Sequence, residues 1–394
     1  MHHGVHASRV TTTRRSRISK VTTLFVTVGL LAGMAASVAP PAGAAAAWST
    51  LPSPSPAGST GTTLYGVACP SAKSCFAVGK YSTNTDVKTL VEHWNGSNWG
   101  TLPSPNPSTN ASFSAVTCPS VKSCFAVGSY TAAGVSLTLV EHWNGSSWSV
   151  QSSPNPSSSL GAGLNGIACG SLRSCFAVGV FATATEPLRT LVLHWNGTQW
   201  GTLPSVNPTS SSVLNNIACP SVRSCFAVGN YTQGATPRPF VEHWNGTVWG
   251  TLPSLSPNGS TGATFTNVAC PAVRSCFAVG SYSTASAHRN LVEHYNGAAW
   301  SLQPNVTLAG ATSTSLNGIA CPTTTSCFAV GNPSANRNSV EHWNGSAWGN
   351  LPVPSPGTVF NHLYAVACPS KALCFGVGDY LRDTAAHGLT LRYA

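Results

Sequence analysis

Residues 64–81 read LYGVACPSAKSCFAVGKY, and residues 89–103 read TLVEHWNGSNWGTLP. Both segments recur along the chain with few changes. A fixed period of about 50 residues indicates a repeat architecture, and repeats of this length are typical of β-propeller blades. The first cysteines of the copies, at intervals of 47–51 residues, are Cys69, Cys118, Cys169, Cys219, Cys270, Cys321 and Cys368.

Each copy divides into four short segments with strand character. In the first copy these segments, named A to D, are 64–69, 75–81, 89–94 and 98–103. Their β-branched and aromatic residues, separated by Gly, Pro and Asn, favour strands over helices. We therefore predict an all-β chain with four strands in each repeat.

The two ends of the repeat region complement each other. Residues 47–56, AWSTLPSPSP, resemble a D strand without a preceding A, B and C, and residues 389–394, LTLRYA, resemble a C strand without a following D. Pairing these two segments would close a ring and cover sheet edges that otherwise promote aggregation. We predict a seven-bladed β-propeller with four-stranded blades, in which an N-terminal strand completes the last blade.

The N-terminal segment has the layout of an export signal. Four basic residues between positions 14 and 20 precede an uncharged, largely apolar run at 21–38, and a small-x-small sequence follows at 42–44. We predict a secretory signal peptide at 1–44, with an uncleaved membrane anchor as the alternative. Without this segment, fourteen basic and nine acidic residues leave a net charge of +5. Because no basic cluster remains, we expect 45–394 to be a single secreted domain that does not bind nucleic acid.

All fourteen cysteines form C-x5-C pairs, one in each copy. In an exported protein, an even number of cysteines at fixed spacing indicates disulfides, each contributing roughly 2 kcal/mol across so small a loop. A metal site needs four ligands, and no second pair or histidine couple accompanies these cysteines. We expect no metal and no cofactor. The predicted disulfides are Cys69–Cys75, Cys118–Cys124, Cys169–Cys175, Cys219–Cys225, Cys270–Cys276, Cys321–Cys327 and Cys368–Cys374.

The repeats resemble a known group of proteins. Copies that read GVACPS, CFAVG, LVEHWNG and a following Trp are similar to those of secreted β-propeller repeat proteins of actinobacteria. Kelch, galactose-oxidase-type and sialidase-type (BNR) propellers are more distantly similar: the kelch Gly-Gly doublet is absent, and Asn replaces the aspartate of the Asp-box. The resemblance implies a propeller architecture and no particular activity.

The sequence E-H-W-N-G has the composition of a catalytic acid and base beside an aromatic platform. It recurs in most copies, whereas a catalytic site is normally built once from several loops. We therefore predict that it packs the blades. A two-residue Asn-Gly turn would pair Trp94 with Ser97, placing Glu92 and Trp94 on one face of the sheet and His93 on the other.

A buried carboxylate without a partner is costly, so the repeated glutamates need one. The predicted partners are basic residues of the A–B turns, namely Lys73, Lys122, Arg223 and Arg274. The other acids, Asp86, Glu186, Asp379 and Asp383, are scattered in the sequence, which does not favour a two-carboxylate glycosidase. Convergence of one of these aspartates with His362 or His387 in a pocket would favour an enzyme.

Comparison of the copies shows where the chain varies. The B–C loops and the D–A connections differ in length and content, and both emerge on one face of a propeller, which we call the loop face. Two sets of residues near that face are candidate ligand-binding residues. Those at the start of strand A surround the channel mouth: Tyr65, Ser114, Asn165, Asn215, Thr266, Asn317 and Tyr364. Those at the end of strand B either stack on a sugar or, as we favour, cap the blade interior: Tyr81, Tyr130, Phe181, Tyr231, Tyr282 and Tyr380.

Polar residues around a pore suit a small ligand or a glycan, and equally suit contact with solvent. We predict a monomeric, non-catalytic binding or scaffold protein, secreted or associated with the cell wall. Its expected partner is an extracellular protein or glycan. The alternatives are a structural surface protein without a specific ligand and a sialidase-like or galactose-oxidase-like enzyme.

Overall fold

A computed structural model describes residues 46–394, except Ser158, Asn305, Thr307, Ala309 and Ala335. The described residues form seven four-stranded antiparallel sheets arranged as the blades of a propeller, as predicted. The signal peptide predicted at 1–44 lies outside these residues and stays a prediction. Among the residues described, no helix has the length and hydropathy needed to cross a membrane.

The strands are numbered in chain order, and four of them form each blade. The first strands of neighbouring blades contact each other around the central channel. These A strands are β2 Gly61–Ser71, β6 Thr109–Ser120, β10 Gly161–Ser171, β14 Ser212–Ser221, β18 Gly262–Ala272, β22 Thr314–Thr323 and β26 Asn361–Ser370. The B strands are β3 Ser74–Ser82, β7 Ser123–Ala132, β11 Ser174–Ala182, β15 Ser224–Gln233, β19 Ser275–Ser283, β23 Ser326–Pro333 and β27 Leu373–Arg382.

The C strands lie outside the B strands, and short D strands form the rim. The C strands are β4 Val87–Trp94, β8 Val135–Trp143, β12 Arg189–Trp195, β16 Thr236–Trp244, β20 His288–Tyr295, β24 Ser339–Trp343 and β28 Ala385–Tyr393. The D strands are β5 Trp99–Thr101, β9 Trp148–Val150, β13 Trp200–Leu203, β17 Trp249–Leu252, β21 Trp300–Leu302, β25 Trp348–Leu351 and β1 Trp48–Leu51.

The predicted ring closure is confirmed. Strand β1 is the outer strand of the seventh blade and pairs antiparallel with β28, with Trp48 opposite Tyr393 and Leu51 opposite Thr390. The edge of β28 is therefore covered by a strand from the other end of the chain. This pairing joins residues that are far apart in the sequence: the hydroxyl of Ser49 bonds to the carbonyl oxygen of Arg392, 343 positions away. It therefore adds a long-range constraint to a fold that is otherwise built from local hairpins.

The hydrophobic core lies in the interfaces between adjacent blades, which we call seams. The side chains of strand B show how neighbouring blades fit together. In β3, Phe76 and Val78 face the second blade, whereas Cys75 and Ala77 face the seventh. Strand B of every blade thus presents large side chains on one face and small ones on the other. Large and small residues that face each other interdigitate at close-packed density without strain.

The predicted disulfides are confirmed in all seven blades. Each one joins the end of strand A to the start of strand B, as Cys69–Cys75 does in the first blade. The second cysteine of each pair is completely buried in a seam. The bridge therefore fixes the A–B hairpin and also fills the small face of the blade.

Removal of β1 is expected to open the ring. A variant that lacks residues 46–52 exposes the edge of β28 and uncovers Phe328, whose ring lies 6.2 Å from that of Trp48. We expect self-association, measured by light scattering after size-exclusion chromatography, and a lower unfolding temperature. Trp48→Ala alone should lower the free energy of unfolding by about 3–5 kcal/mol, as should Trp99→Ala in the first blade.

A circular permutant provides the control. It joins Tyr393 to Trp48 through an Asn-Gly-Ser-Ala turn copied from 344–347 and opens the chain at 58–59. This protein should be monomeric and at least as stable as the natural one. A deletion variant that stays monomeric with an unchanged unfolding temperature would show that β1 does not close the ring.

Candidate functional site

The E-H-W-N-G segment forms the hairpin between strands C and D. Trp94 lies opposite Trp99, so the predicted pairing of Trp94 with Ser97 is wrong by two residues. The reason is the side chain of Asn95, whose Oδ1 accepts hydrogen bonds from the backbone N–H groups of Ser97 and Asn98, at 3.0 Å each, and so stabilises a four-residue turn. The shift of two leaves the predicted faces of the sheet unchanged.

The histidine and tryptophans of this motif pack around phenylalanine. His93 lies 4.6 Å from Phe76 of its own blade, between ring centroids, and its Nε2 is 2.9 Å from the hydroxyl of Ser74. Phe76 also contacts Trp143 and Trp148 of the next blade, with ring centroids 5.4 and 5.6 Å apart. The predicted packing role of the motif is thus confirmed, and its side chains belong to the seams.

The partners predicted for the repeated glutamates are wrong. Glu92 is fully buried and accepts a hydrogen bond from the hydroxyl of Ser53, at 2.7 Å, in the connection that leaves the seventh blade. Lys73 instead packs against Gly96 of the C–D turn. The face of strand C that carries Glu92 is directed at the preceding blade, so its partner comes from that blade. The same holds for the hydroxyls of Ser104 with Glu141 and of Ser205 with Glu242, the N–H of Leu255 with Glu293, and the amide of Asn290 with Glu341.

Burial favours the protonated form of these carboxyl groups. It raises the pKa of Glu92 and Glu141 from 4.5 to about 8, and that of Glu242, Glu293 and Glu341 to about 7, with the hydrogen bonds opposing the rise. The third and seventh blades have Leu193 and Leu391 at this position, both completely buried. A neutral side chain is therefore what each seam accommodates.

The predicted ring at the channel mouth forms a single cavity of about 300 Å³. One residue from each of the seven A strands lines it, so strands far apart in sequence converge on one place. Serine, phenylalanine and asparagine neighbours complete the lining, and all lining residues are uncharged. The predicted ring residues on the cavity wall are Tyr65, Ser114, Asn165, Asn215, Thr266, Asn317 and Tyr364.

A β-bulge places each of these side chains. In every blade the pairing of strands A and B shifts at the ring residue; in the first blade the shift falls between Leu64 and Gly66, leaving Tyr65 as the extra residue. A bulge re-aims a side chain relative to the regular alternation. The close approach needs glycine on strand B, because a Cβ atom at Gly79 would lie 2.0 Å from the carbonyl oxygen of Thr63. The glycine of C-F-A-V-G is the sequence signal for this bulge, and its role was not recognised from the sequence.

Four ring residues also tie their blade to the next. The Nδ2 groups of Asn165, Asn215 and Asn317 donate to the carbonyl oxygens of Leu214, Phe265 and Leu363, at 2.9, 2.6 and 2.9 Å. The hydroxyl of Thr266 lies 2.7 Å from the carbonyl oxygen of Leu316 in the next blade. Each acceptor precedes the ring residue of its own blade. The geometry of the mouth is therefore held by the ring residues themselves.

The seventh and first blades meet at this mouth through aromatic rings. The rings of Tyr364 and Tyr65 have centroids 5.2 Å apart, and the Tyr364 hydroxyl lies 3.1 Å from Nδ1 of His362. Burial, with the nearby charge of Asp379, raises the pKa of Tyr364 above its ordinary value. Lys80 lies 5.7 Å from the ring of Tyr65. This side of the mouth differs from the amide-lined side formed by the third to sixth blades.

Asp379 meets His362, but the two do not converge in a pocket, as an enzyme would require. Its Oδ1 lies 2.9 Å from Nδ1 of His362, and its Oδ2 accepts a hydrogen bond from Thr63 at 2.9 Å. Asp379 is only 6% exposed, and the cavity wall is formed by Tyr364 rather than by Asp379 or His362. Both carboxylate oxygens are thus occupied behind the cavity.

The remaining acids stand apart from the channel mouth. Asp86 accepts hydrogen bonds from the backbone N–H groups of Val87 and Asn110, Glu186 pairs with Arg189, and Asp383 is exposed. His387 stacks on Tyr380. In the part of the chain that is described, no three His, Cys, Asp or Glu side chains are placed to hold a metal ion.

The aromatic residues at the ends of the B strands do not line the channel cavity. They are partly buried against the hydrophobic seams, where they cover the end of each core cluster. This placement accords with the capping role favoured above for Tyr81, Tyr130, Phe181, Tyr231, Tyr282 and Tyr380.

The B–C loops and D–A connections adjoin on one face. The backbone N–H of Thr89 donates to Asn106 at 2.9 Å, and that of Asn110 to Asp86 at 2.9 Å. Between the second and third blades these segments surround a further cavity of about 790 Å³, lined by residues 154–157 and by Phe181 and Arg189 among others. This groove was not predicted as such, although its two loop sets were singled out by their variation.

Comparison with solved structures shows the fold. The chain is similar to YCF48 bound to D1 peptide, at 14% identity over 89% of this chain and 96% of that one, with a TM-score of 0.53. It is similar to YCF48 from Cyanidioschyzon merolae, at 12% identity over 88% and 98% of the two chains, with a TM-score of 0.51. A GH74 xyloglucanase from Xanthomonas campestris matches at 11% identity over 86% of this chain and 54% of that one, with a TM-score of 0.51. No family model and no curated protein matches the chain.

The buried glutamates predict how stability depends on pH. Above 4.5 the unfolded chain releases protons that the folded state retains up to a pH of about 7 or 8, so the free energy of unfolding falls as pH rises through this window. Burial lowers the pKa of His93 and its counterparts below 6.5, so they destabilise the fold only at lower pH. We expect a loss of up to about 1 kcal/mol per glutamate and pH unit, measured by urea unfolding between about pH 6.5 and about pH 8.

Glu92→Leu is the matched variant, because Leu193 and Leu391 already occupy this position in other blades. It should fold and show a smaller fall in stability over the same range. A slope equal to that of the natural protein would contradict a raised pKa at Glu92.

Proposed function

We propose that this protein is a secreted, non-catalytic binding module that holds an extracellular protein or glycan on its loop face, with the ligand seated at the channel mouth. The observation that carries the proposal is the set of seven bulges. Each bulge directs one side chain into the same cavity, and bulges that re-aim a side chain are over-represented next to functional sites. Simple contact with solvent would not require a distortion of the strand in every blade.

The composition of the mouth supports binding rather than catalysis. Hydrolysis of a glycosidic bond usually needs two carboxyl groups within about 5–10 Å of each other. Near the cavity there is Asp379, and its two oxygens are held by His362 and Thr63. Asp379 and His362 are in contact, but neither lines the cavity, and no lining side chain is an acid or a base.

The surrounding loops offer a larger contact area than the cavity alone. The groove of about 790 Å³ between the second and third blades lies among the same loops and connections. A ligand longer than one small group would extend from the mouth across these segments, whose sequences differ from blade to blade. YCF48, which has a similar fold, is described as bound to a peptide, so this fold is compatible with such a role.

An oxidising compartment fits the covalent structure. Seven disulfides and no free cysteine occur in the described residues, as expected outside the cytosol. Together with the signal peptide predicted at 1–44, this supports export to the medium or the cell wall. A structural surface protein would share these properties and is distinguished by the absence of a ligand.

Occlusion of the mouth tests the proposal. Ser114 is a small lining residue, and Ser114→Trp would fill the cavity from one blade. Binding to a glycan array or to extracellular proteins of the producing culture should weaken by at least about tenfold. Val121→Trp is the matched control, because Val121 is 47% exposed in the A–B turn at the opposite end of the blade, and its binding should be unchanged.

Two results would contradict the proposal. Equal binding by the natural protein and Ser114→Trp would place the ligand elsewhere. Absence of binding to every glycan and protein would favour the structural alternative.

A further inference from the structure

The amide side of the mouth presents hydrogen-bond acceptors. Only the nitrogen of an asparagine amide donates to a carbonyl group, so the bonds of Asn165, Asn215 and Asn317 to the next blades fix the orientation of each amide. Their Oδ1 atoms accept no hydrogen bond from the described residues and are not enclosed. A ligand that meets these oxygens must therefore bring donors.

Thr266 follows the same pattern. Its single hydroxyl hydrogen is directed to main-chain carbonyl oxygens, those of Leu316 and Val279. The hydroxyl oxygen retains acceptor capacity, while its donor is used within the protein. The arc formed by the third to sixth blades thus presents acceptors at its ring residues, beside the amide groups of the lining residues Asn216 and Asn267.

The opposite arc is aromatic. Tyr65 and Tyr364, from the first and last blades, lie side by side with an angle of 55° between their planes. Tyrosine rings provide a rigid apolar surface with a polar edge. Such a surface packs against the C–H groups of a ligand whose other edge carries donors.

The electrostatics of the mouth disfavour charged ligands. A cation would satisfy the acceptors, but Lys80 already holds a positive charge 5.7 Å from the ring of Tyr65. An anion would face the amide oxygens of Asn165, Asn215 and Asn317. All lining residues are neutral, so no side chain compensates a ligand charge.

We propose that the channel mouth binds a neutral sugar residue of a glycan, whose hydroxyl groups donate to Asn165, Asn215 and Asn317 and whose C–H face packs on Tyr65 and Tyr364. This inference rests on the proposed binding function and specifies its ligand. Sugars combine several hydroxyl donors with an apolar ring face, which is the combination that the two arcs accommodate. The cavity of about 300 Å³ is at the lower end of the range of small-ligand pockets, about 300–1,000 Å³.

The test compares three sets of oligosaccharides on one array, with the full natural protein exported by its host. The sets are neutral oligomers of glucose, galactose, mannose, xylose and N-acetylglucosamine, deacetylated amino-sugar oligomers, and uronic-acid oligomers. Neutral sugars should bind best. Tyr65→Ala should weaken this binding by at least about tenfold, whereas Tyr65→Phe retains the ring and should bind within about twofold.

The control for folding is the unfolding temperature and near-ultraviolet circular dichroism of each variant, together with Val121→Ala on the opposite end. Stronger binding of the charged oligomers than of neutral ones would overturn the inference, as would equal loss in Tyr65→Ala and Val121→Ala. If the protein binds only peptides or proteins, and Ser114→Trp abolishes that binding, the sugar inference is overturned and the proposed binding function is supported. Absence of binding on every array and in every protein screen would overturn both the sugar inference and the proposed binding function.

Discussion

Each blade of this propeller holds the next through one phenylalanine of strand B. Phe76 packs against Trp143 and Trp148 of the second blade, and Phe375 of the last blade packs against Trp94 of the first, with centroids 5.2 Å apart. The Cys and Ala side chains on strand B of the next blade leave room for this ring beside the tryptophans. Because the contact repeats in every seam, the ring has one consistent geometry, and aromatic pairs of this kind contribute beyond the area that they bury.

This constraint also determines the form of the channel mouth. Blades that pack through identical seams bring their A strands together at equal positions, and the bulge in each strand then directs one side chain inwards. The amides of Asn165 and Asn215 reinforce the arrangement from blade to blade, while Tyr65 and Tyr364 meet where the chain ends join. The repeated residues build the propeller. The differences between copies at the ring positions give the mouth an amide-lined side and an aromatic side.

The blade count, closure, disulfides and ring were predictable because each follows from a period or a fixed offset within a copy. Three features were not predicted from the sequence, for different reasons. The partner of Glu92 is Ser53, which belongs to another blade and follows a strand from the other end of the chain. The turn at Asn95 is lengthened by its own side chain, which shifts the register. The meeting of Asp379 with His362 depends on their opposition across strands β26 and β27, where the first blade has Thr63 opposite Lys80 instead.

The location of the ligand is the central claim, and an experimental structure of the protein with a bound neutral oligosaccharide tests it most directly. The account predicts one sugar residue in the channel mouth, its hydroxyl groups within hydrogen-bond distance of asparagine Oδ1 atoms and its ring against Tyr65 or Tyr364. A sugar bound instead in the groove between the second and third blades, or on the outer rim beside the tryptophans, with the mouth filled only by solvent, would contradict it.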